Sequence, residues 1–160
     1  MPTFYFGEHP SGIAYTPRPS AYVIVPRADR DEVGATKIAT VLTACGYHLP
    51  GGGIDPGESA EQAVIREMLE ETGLAIECLR RIGDAIEMTL GGGSEGKAYQ
   101  KRCVFYEGRL LPAPAVAAIE KDHELRWIPA ADTQLFSHDV HRWAVEQWLS
   151  ICHINLLPQE

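Results

Sequence analysis

The chain has 160 residues, a formal net charge of −8, 45% hydrophobic residues and 22% charged ones. That length suits one domain, able to bury about two-thirds of the surface its unfolded chain exposes. The acidic balance argues against duplex nucleic acid as a main partner, which relies on a basic footprint. No membrane span is expected either, because the longest largely apolar stretch, 110–119, holds two prolines and is too short.

From the N-terminus, Met1-Pro2-Thr3-Phe4-Tyr5 has neither a basic start nor a long apolar run, so no secretory signal is expected. Residues 21–25 (Ala-Tyr-Val-Ile-Val) form a β-prone run ended by Pro26 and a charged loop over 27–32. Residues 37–43 make a second strand, and 46–50 lead into Gly51-Gly52-Gly53. Asp55-Pro56-Gly57 is turn chemistry. Ser59 and Gln62 then match a capping box that opens a helix, and Gly73 suits its left-handed C-terminal cap.

That helix concentrates the chemistry. At roughly 100° per residue, Glu67, Glu70 and Glu71 share an arc of about 100°, where like charges repel. Carboxylate oxygens hold hard divalent cations such as Mg2+, which would turn the repulsion into binding. Val64, Ile65, Met68 and Leu69 occupy an apolar arc roughly opposite, expected to anchor the helix to a core.

Beyond the helix, 75–79, 82–90 and 99–106 read as extended, with a glycine-rich turn over 91–96 making a long hairpin. Residues 125–128 form another short strand. Ser137 is expected to cap a last helix that places Val140, Trp143, Ala144, Trp148 and Ile151 on one core-facing stripe, with Val145 and Leu149 off it. Periodicity gives an α/β chain of one domain over 1–160, without internal repeats. Cys45, Cys78, Cys103 and Cys152 show no paired spacing. They read as reduced, buried or semi-buried thiols in a cytoplasmic protein.

Three lesser patterns have plain readings. The run 91–98 nearly spells a phosphate-binding loop, but Ala98 lacks the hydroxyl that would hold Mg2+ and a strand follows where a helix is needed. His123-Glu124 lacks the second histidine of a zinc-protease helix and reads as a loop entering a strand. His138 and His141 could share a helix face, and a surface pair is expected.

The segment from Gly52 to Leu74 resembles the signature of the Nudix hydrolases (MutT-like). Gly52, Glu58, Arg66, Glu67, Met68, Glu70, Glu71, Gly73 and Leu74 fill its nine specified positions. The resemblance implies an α+β fold, with a mixed β-sheet sandwiched between helices. It also implies a Mg2+-dependent pyrophosphohydrolase (Mn2+ as a substitute) acting on a nucleoside diphosphate linked to another group, as monomer or homodimer. By the same pattern Glu67, Glu70 and Glu71 supply metal-binding carboxylates, with the backbone carbonyl of Gly51 a further ligand. Arg66 orients its neighbouring glutamate, and Glu58 is peripheral. The general base is Glu67, or a residue from the acidic run Glu120, Asp122 and Glu124, with Glu120 preferred there.

Substrate identity is not marked. The proline of ADP-ribose-selective relatives and the tyrosine of dinucleoside-polyphosphate enzymes are both missing near Leu90-Gly91-Gly92, and the coenzyme A-directed pattern is absent upstream. Tyr5, Tyr22, Tyr47, Tyr99 and Phe105 are candidate base-stacking residues. Two rival functions are a non-catalytic nucleotide sensor and a prenyl-diphosphate isomerase. The first often loses signature glutamates that this chain keeps, and the second needs a cysteine–glutamate constellation with no match here.

Overall fold

Alternation along one strand sets the architecture. In the computed structural model, which describes residues 3–28, 36–92 and 96–156, the strand is β2 (Thr16–Ile24). Ala21, Val23 and the following Val25 belong to one core cluster, whereas Tyr22 and Ile24 belong to another. Side chains on a strand point alternately to opposite faces, so one apolar run feeds two cores.

Each core carries one helix. α1 (Ala60–Thr72) buries Ala63, Val64 and Met68 against the first face. α2 (Asp139–Leu156) buries Val140, Ala144, Val145 and Trp148 against the second. Fully burying a valine or methionine side chain contributes about 1.5–3 kcal/mol. The sheet between them contains β1 (Phe4–Phe6), β2, β6 (Gly51–Gly53), β7 (Ile76–Gly92) and β8 (Lys97–Leu110), in the order β1-β7-β8-β2-β6. It is mixed: β1 with β7 and β2 with β8 run parallel, and the other pairs antiparallel. β3 (Pro26–Ala28), β4 (Thr36–Thr43), β5 (Gly46–His48) and β9 (Glu124–Pro129) form a second, antiparallel sheet. A mixed sheet between helices is the expected α+β arrangement.

Several expectations are corrected. Residues 27–28 belong to β3 where a loop was expected, while 29–35 lie outside the described residues. The two segments expected at 75–79 and 82–90 are one strand, β7, with irregularities between Cys78 and Arg80 and between Arg81 and Gly83. Ser137 does not cap α2; its hydroxyl donates to the Tyr47 carbonyl at 3.4 Å. Val145, placed off the stripe of α2, is fully buried. Cys45 is exposed, although all four cysteines are free thiols. No helix among the described residues is long and apolar enough to cross a membrane.

The largest correction concerns α1. Ile65 and Leu69, expected in the core, are each 40% exposed, while Glu71 is 6% exposed. The buried arc is therefore rotated toward the acidic edge. α1 packs against β2 and β6, so it presents carboxylates to the glycine strand and leaves two aliphatic side chains outside.

Candidate active site

The site begins where β6 meets α1. Gly51, Gly52 and Gly53 pair with Tyr22, Ala21 and Ser20 of β2. A Cβ at Gly52 would stand 2.6 Å from Glu67 Oε1, so the bare backbone is what lets that carboxylate lie against the strand. The Gly51 N–H donates to Glu71 Oε2 at 2.9 Å. The helix is fixed at both ends: Ser59 and Gln62 form the reciprocal capping box, and Gly73 closes it in the left-handed conformation, φ 73°.

Arg66 organises the acidic face. Its Nη1 donates to Glu67 Oε1 at 2.9 Å and to Glu70 Oε2 at 3.3 Å, and its Nη2 reaches the Gly53 carbonyl at 3.1 Å. Glu58, expected to be peripheral, grips the same guanidinium through both oxygens, at 2.8 and 2.9 Å. Arg66 and the Asp55 N–H hold the Glu58 carboxyl down at about 2. Glu67 behaves otherwise: burial pushes its carboxyl up, against the pull of Arg66. Burial also pushes Glu71 up to about 8; the Gly51 N–H opposes this, and Glu67, Glu120 and Glu70 add to it. A buried carboxylate in such company needs a cation to stay charged.

A second segment completes the cluster from a distance. The loop after β8 docks on the C-terminal end of α1, whose last carbonyls have no partner within the helix. Val116 N–H donates to the Gly73 carbonyl at 2.9 Å, and the N–H groups of Ile119 and Glu120 donate to the Glu70 carbonyl at 2.8 and 3.2 Å. A Cβ at Gly73 would stand 1.9 Å from the Val116 oxygen, so glycine serves the loop as well as the cap. Docking brings Glu120 to Glu67 and Glu70, with ligand atoms of all three within 4.8 Å of one another. Glu71, Glu120 and His123 form a second such group. Of the other acids in that run, Asp122 lines the adjoining cavity. Glu124 instead starts β9 and pairs with Arg126 at 2.8 Å.

His123 was missed as a site residue. Its Nδ1 lies 2.8 Å from Glu120 Oε2, and its Nε2 lies 3.5 Å from Glu71 Oε1. The reading as a loop entering a strand is right locally. The available signal was the acidic run around it, which marked the loop without marking the imidazole.

A cavity of about 1040 Å³ opens from Gly51, Glu71 and His123 toward β7, β8 and α2. Glu87 and Lys101 face one another on β7 and β8, with Lys101 Nζ 3.3 Å from Glu87 Oε2. His138 Nδ1 also bonds to Glu87. Burial alone would raise Glu87, but the His138 hydrogen bond and Lys101 bring its carboxyl below the ordinary value. His48 Nε2 stands 3.1 Å from Thr43 Oγ1, and His141 Nδ1 accepts from the Leu49 N–H at 3.0 Å. Burial, with His138 and Lys101 nearby, lowers His48 to about 4. Burial also holds His141 well below the ordinary value. The expected surface pair is therefore corrected: His141 is 2% exposed, and both rings belong to the cavity. The helix starts at the docked Tyr47–Ser137 contact, which turns its first face inward. Of the five aromatic candidates, Tyr22 and Tyr99 line the cavity, and Tyr99 lies under the Arg18 guanidinium at 5.5 Å. In the run 91–98, residues 93–95 lie outside the described residues, and Lys97 opens strand β8.

The donor set suits a hard or borderline divalent cation: carboxylate oxygens and one imidazole, with Arg66 bound among the carboxylates.

Known proteins share this framework. A family model described as NUDIX domain matches residues 16–149. A Bacillus subtilis protein named "Putative 8-oxo-dGTP diphosphatase" is 33% identical over 90 residues, 56% of this chain and 54% of that protein. An RNA pyrophosphohydrolase of Nitrobacter winogradskyi is 31% identical over 105 residues, 65% of this chain and 60% of that protein. The chain thus spans little more than half the length of these two relatives. A solved NUDIX hydrolase from Nitrosomonas europaea superposes with a TM-score of 0.65 at 19% identity, covering 84% of this chain and 90% of that one. At that identity the likeness speaks for the fold.

Proposed function

The chain belongs to the NUDIX family, and on that premise we propose that it is a single-domain, cytoplasmic pyrophosphohydrolase dependent on Mg2+ or a similar divalent ion. Its substrate class is a nucleoside diphosphate linked to a further group. The observation that carries the reading is the convergence of Glu67, Glu70, Glu71, Glu120 and His123, from a helix and a distant loop, in two groups that share Glu120, each spaced to hold a cation, beside a large cavity.

Glu67, Glu70, Glu71 and Glu120, with the Gly51 carbonyl, would hold the metal. Bound there, a divalent cation supplies charge neutralisation for the diphosphate and a lowered pKa for water. The chain's own residues do the rest. Arg66 holds Glu67 and Glu70 in place through a fork anchored by Glu58. Water adds to one phosphorus, the bridging P–O bond breaks, and a carboxylate takes the proton; Glu67 and Glu120 are the candidates for that role. Arg18 presents positive charge along the cavity wall to the anionic substrate, and Tyr99 offers a ring face for a base.

The test is a panel of nucleoside diphosphate derivatives, nucleoside triphosphates and 5′-triphosphate RNA, with Mg2+ and identified products. Glu70→Gln should retain the fold and lose about 10²–10³-fold in kcat/KM, the equivalent of several kcal/mol of cation stabilisation. No turnover on the whole panel, together with unchanged metal binding by Glu70→Gln, would sink the reading.

A further inference from the structure

β7 and β8 present a square of side chains to the cavity. In their antiparallel register Glu87 lies opposite Lys101 and Thr89 opposite Tyr99. Opposite residues share a face, and so do residues two apart on one strand. All four line the cavity.

The charges in this square cancel. Lys101 Nζ stands 3.3 Å from Glu87 Oε2, and His138 Nδ1 bonds to Oε1. Against burial, His138 and Lys101 hold the Glu87 carboxyl below its ordinary value, so it stays ionised. An anionic group would meet that carboxylate and find the ammonium already matched. The square therefore suits an uncharged polar group.

Its hydrogen-bonding capacity is only partly used. An ionised carboxylate accepts at about four lone-pair sites, and an ammonium donates three bonds. Among the described residues, His138 and Lys101 take one site on each Glu87 oxygen, and Glu87 takes one N–H of Lys101. Thr89 Oγ1 is buried without any hydrogen-bond partner. Leaving a buried polar atom unpaired is unfavourable, and in a cavity wall a ligand can pair it. Tyr99 adds a flat ring, with the Arg18 guanidinium 5.5 Å from its centre.

Bases are read by their polar edges while they stack on aromatic side chains. A base lying against Tyr99 brings its edge to Glu87 and Lys101, a fixed acceptor beside a fixed donor. An edge with a ring N–H next to a carbonyl meets both at once. An amine next to a bare ring nitrogen meets them less well. The ring N–H of a cyclic amide is the more acidic donor to a carboxylate, and a carbonyl oxygen offers the ammonium two lone pairs where a ring nitrogen offers one.

We propose that Glu87 and Lys101 are specificity-determining residues that read the base of the substrate, selecting a ring N–H beside a carbonyl (guanine, hypoxanthine, uracil, thymine) over adenine and cytosine. The inference rests on the proposed function, which gives the substrate a nucleoside, and adds which edge that nucleoside must show.

Calorimetry on the full chain with Mg2+ tests it with two product-type ligands, inosine 5′-monophosphate and adenosine 5′-monophosphate, which differ only at that edge. The inosine nucleotide should bind about tenfold more tightly, within the range that one good pair of base contacts discriminates. Glu87→Gln should bring the ratio below about threefold, with the loss falling on the inosine nucleotide. A merely structural role for Glu87 would weaken both ligands alike and leave the ratio unchanged, which overturns the proposal. Equal binding by the parent protein, a preference for the adenosine nucleotide, or binding of neither overturns it too, and that comparison needs no variant to fold. Hydrolysis is not read. Turnover on the nucleotide panel without a base preference would sink this inference alone, whereas a clear preference without turnover would sink only the hydrolase reading.

Discussion

The two ends of the cavity respond to burial in the same way and are built in opposite ways. At the carboxylate end burial raises Glu71 to about 8, and at the histidine end it lowers His48 to about 4 and holds His141 well below the ordinary value. Both sets of groups are driven toward neutrality. The difference lies in the compensation. At the histidine end Glu87 is already matched by Lys101 and His138, within hydrogen-bonding distance. At the carboxylate end Glu67, Glu70, Glu71 and Glu120 gather with Arg66 as the bound cation, and Arg66 is itself divided among Glu58, Glu67 and Glu70. One end is balanced by the fold, and the other is left to be balanced by what binds.

Removing Arg66 tests that asymmetry most severely. Arg66→Met leaves Glu67, whose side chain is only 12% exposed, without its cation. Breaking a fully buried pair costs about 3–5 kcal/mol; Arg66 is 28% exposed, so about 2 kcal/mol is expected from urea unfolding. Loss of a residue that orients metal-binding groups should also lower kcat/KM about 10–100-fold. Added divalent ion should recover part of the stability, because it replaces the missing charge. If the variant is as stable and active as the parent, the carboxylate end is not held the way its geometry says.

The same contrast decides what could be read from the sequence. The α1 half of the site lies in one continuous segment, where helical spacing, capping residues and glycines are all local, so Arg66, Glu67, Glu70 and Glu71 were legible. Even there one global fact was not. The rotation of the helix that exposes Ile65 and Leu69 and buries Glu71 comes from packing on β2 and β6. The loop half was legible only as an acidic run. Nothing between Leu111 and His123 signals that its amides will cap α1, because the carbonyls they meet lie some fifty positions earlier. The histidine end was not legible. His48, Glu87, Lys101 and His141 come from four different elements, and each by itself looks like an ordinary strand or helix residue. The strands followed their β-prone runs, but the fusion of β7 across 76–92 depended on bulges that pairing with β8 imposes.

The joint between the two halves of the carboxylate end is Gly73, and a methyl group there should separate them. At φ 73° a non-glycine residue costs about 1–2 kcal/mol, or about 3–6 °C in Tm for a domain of this size. The added Cβ would also strike the Val116 oxygen at 1.9 Å, so the loop must shift and take Glu120 with it. Gly73→Ala should therefore lose activity, roughly tenfold, beyond what its melting temperature explains at an assay temperature well below Tm. Full activity in the folded variant would show that Glu120 is not needed where the loop places it.

At the histidine end the expected effect is smaller and carries a definite sign. His141 is buried, neutral, and accepts the Leu49 N–H, with a pKa well below the ordinary 6.5. In the unfolded chain the same ring titrates near 6.5, so below that pH the unfolded state takes up a proton that the folded state refuses. Stability from this group is thus complete above pH 6.5 and declines as pH falls, by roughly 1 kcal/mol per pH unit between 6 and 5. Glu71 has the opposite sign in metal-free protein. Its raised pKa means the folded state holds a proton the unfolded state has released, which favours folding as pH falls from 8 toward 4.5. The two ends partly cancel in any single pH profile, and a substitution must separate them. His141→Asn keeps an acceptor for the Leu49 N–H without a titrating ring. Its urea midpoints at pH 5 and pH 7 should differ less than those of the parent protein, with kcat/KM nearly unchanged at pH 7. An equal acid-side decline in both proteins would mean that His141 is not the buried base its place beneath the cavity makes it.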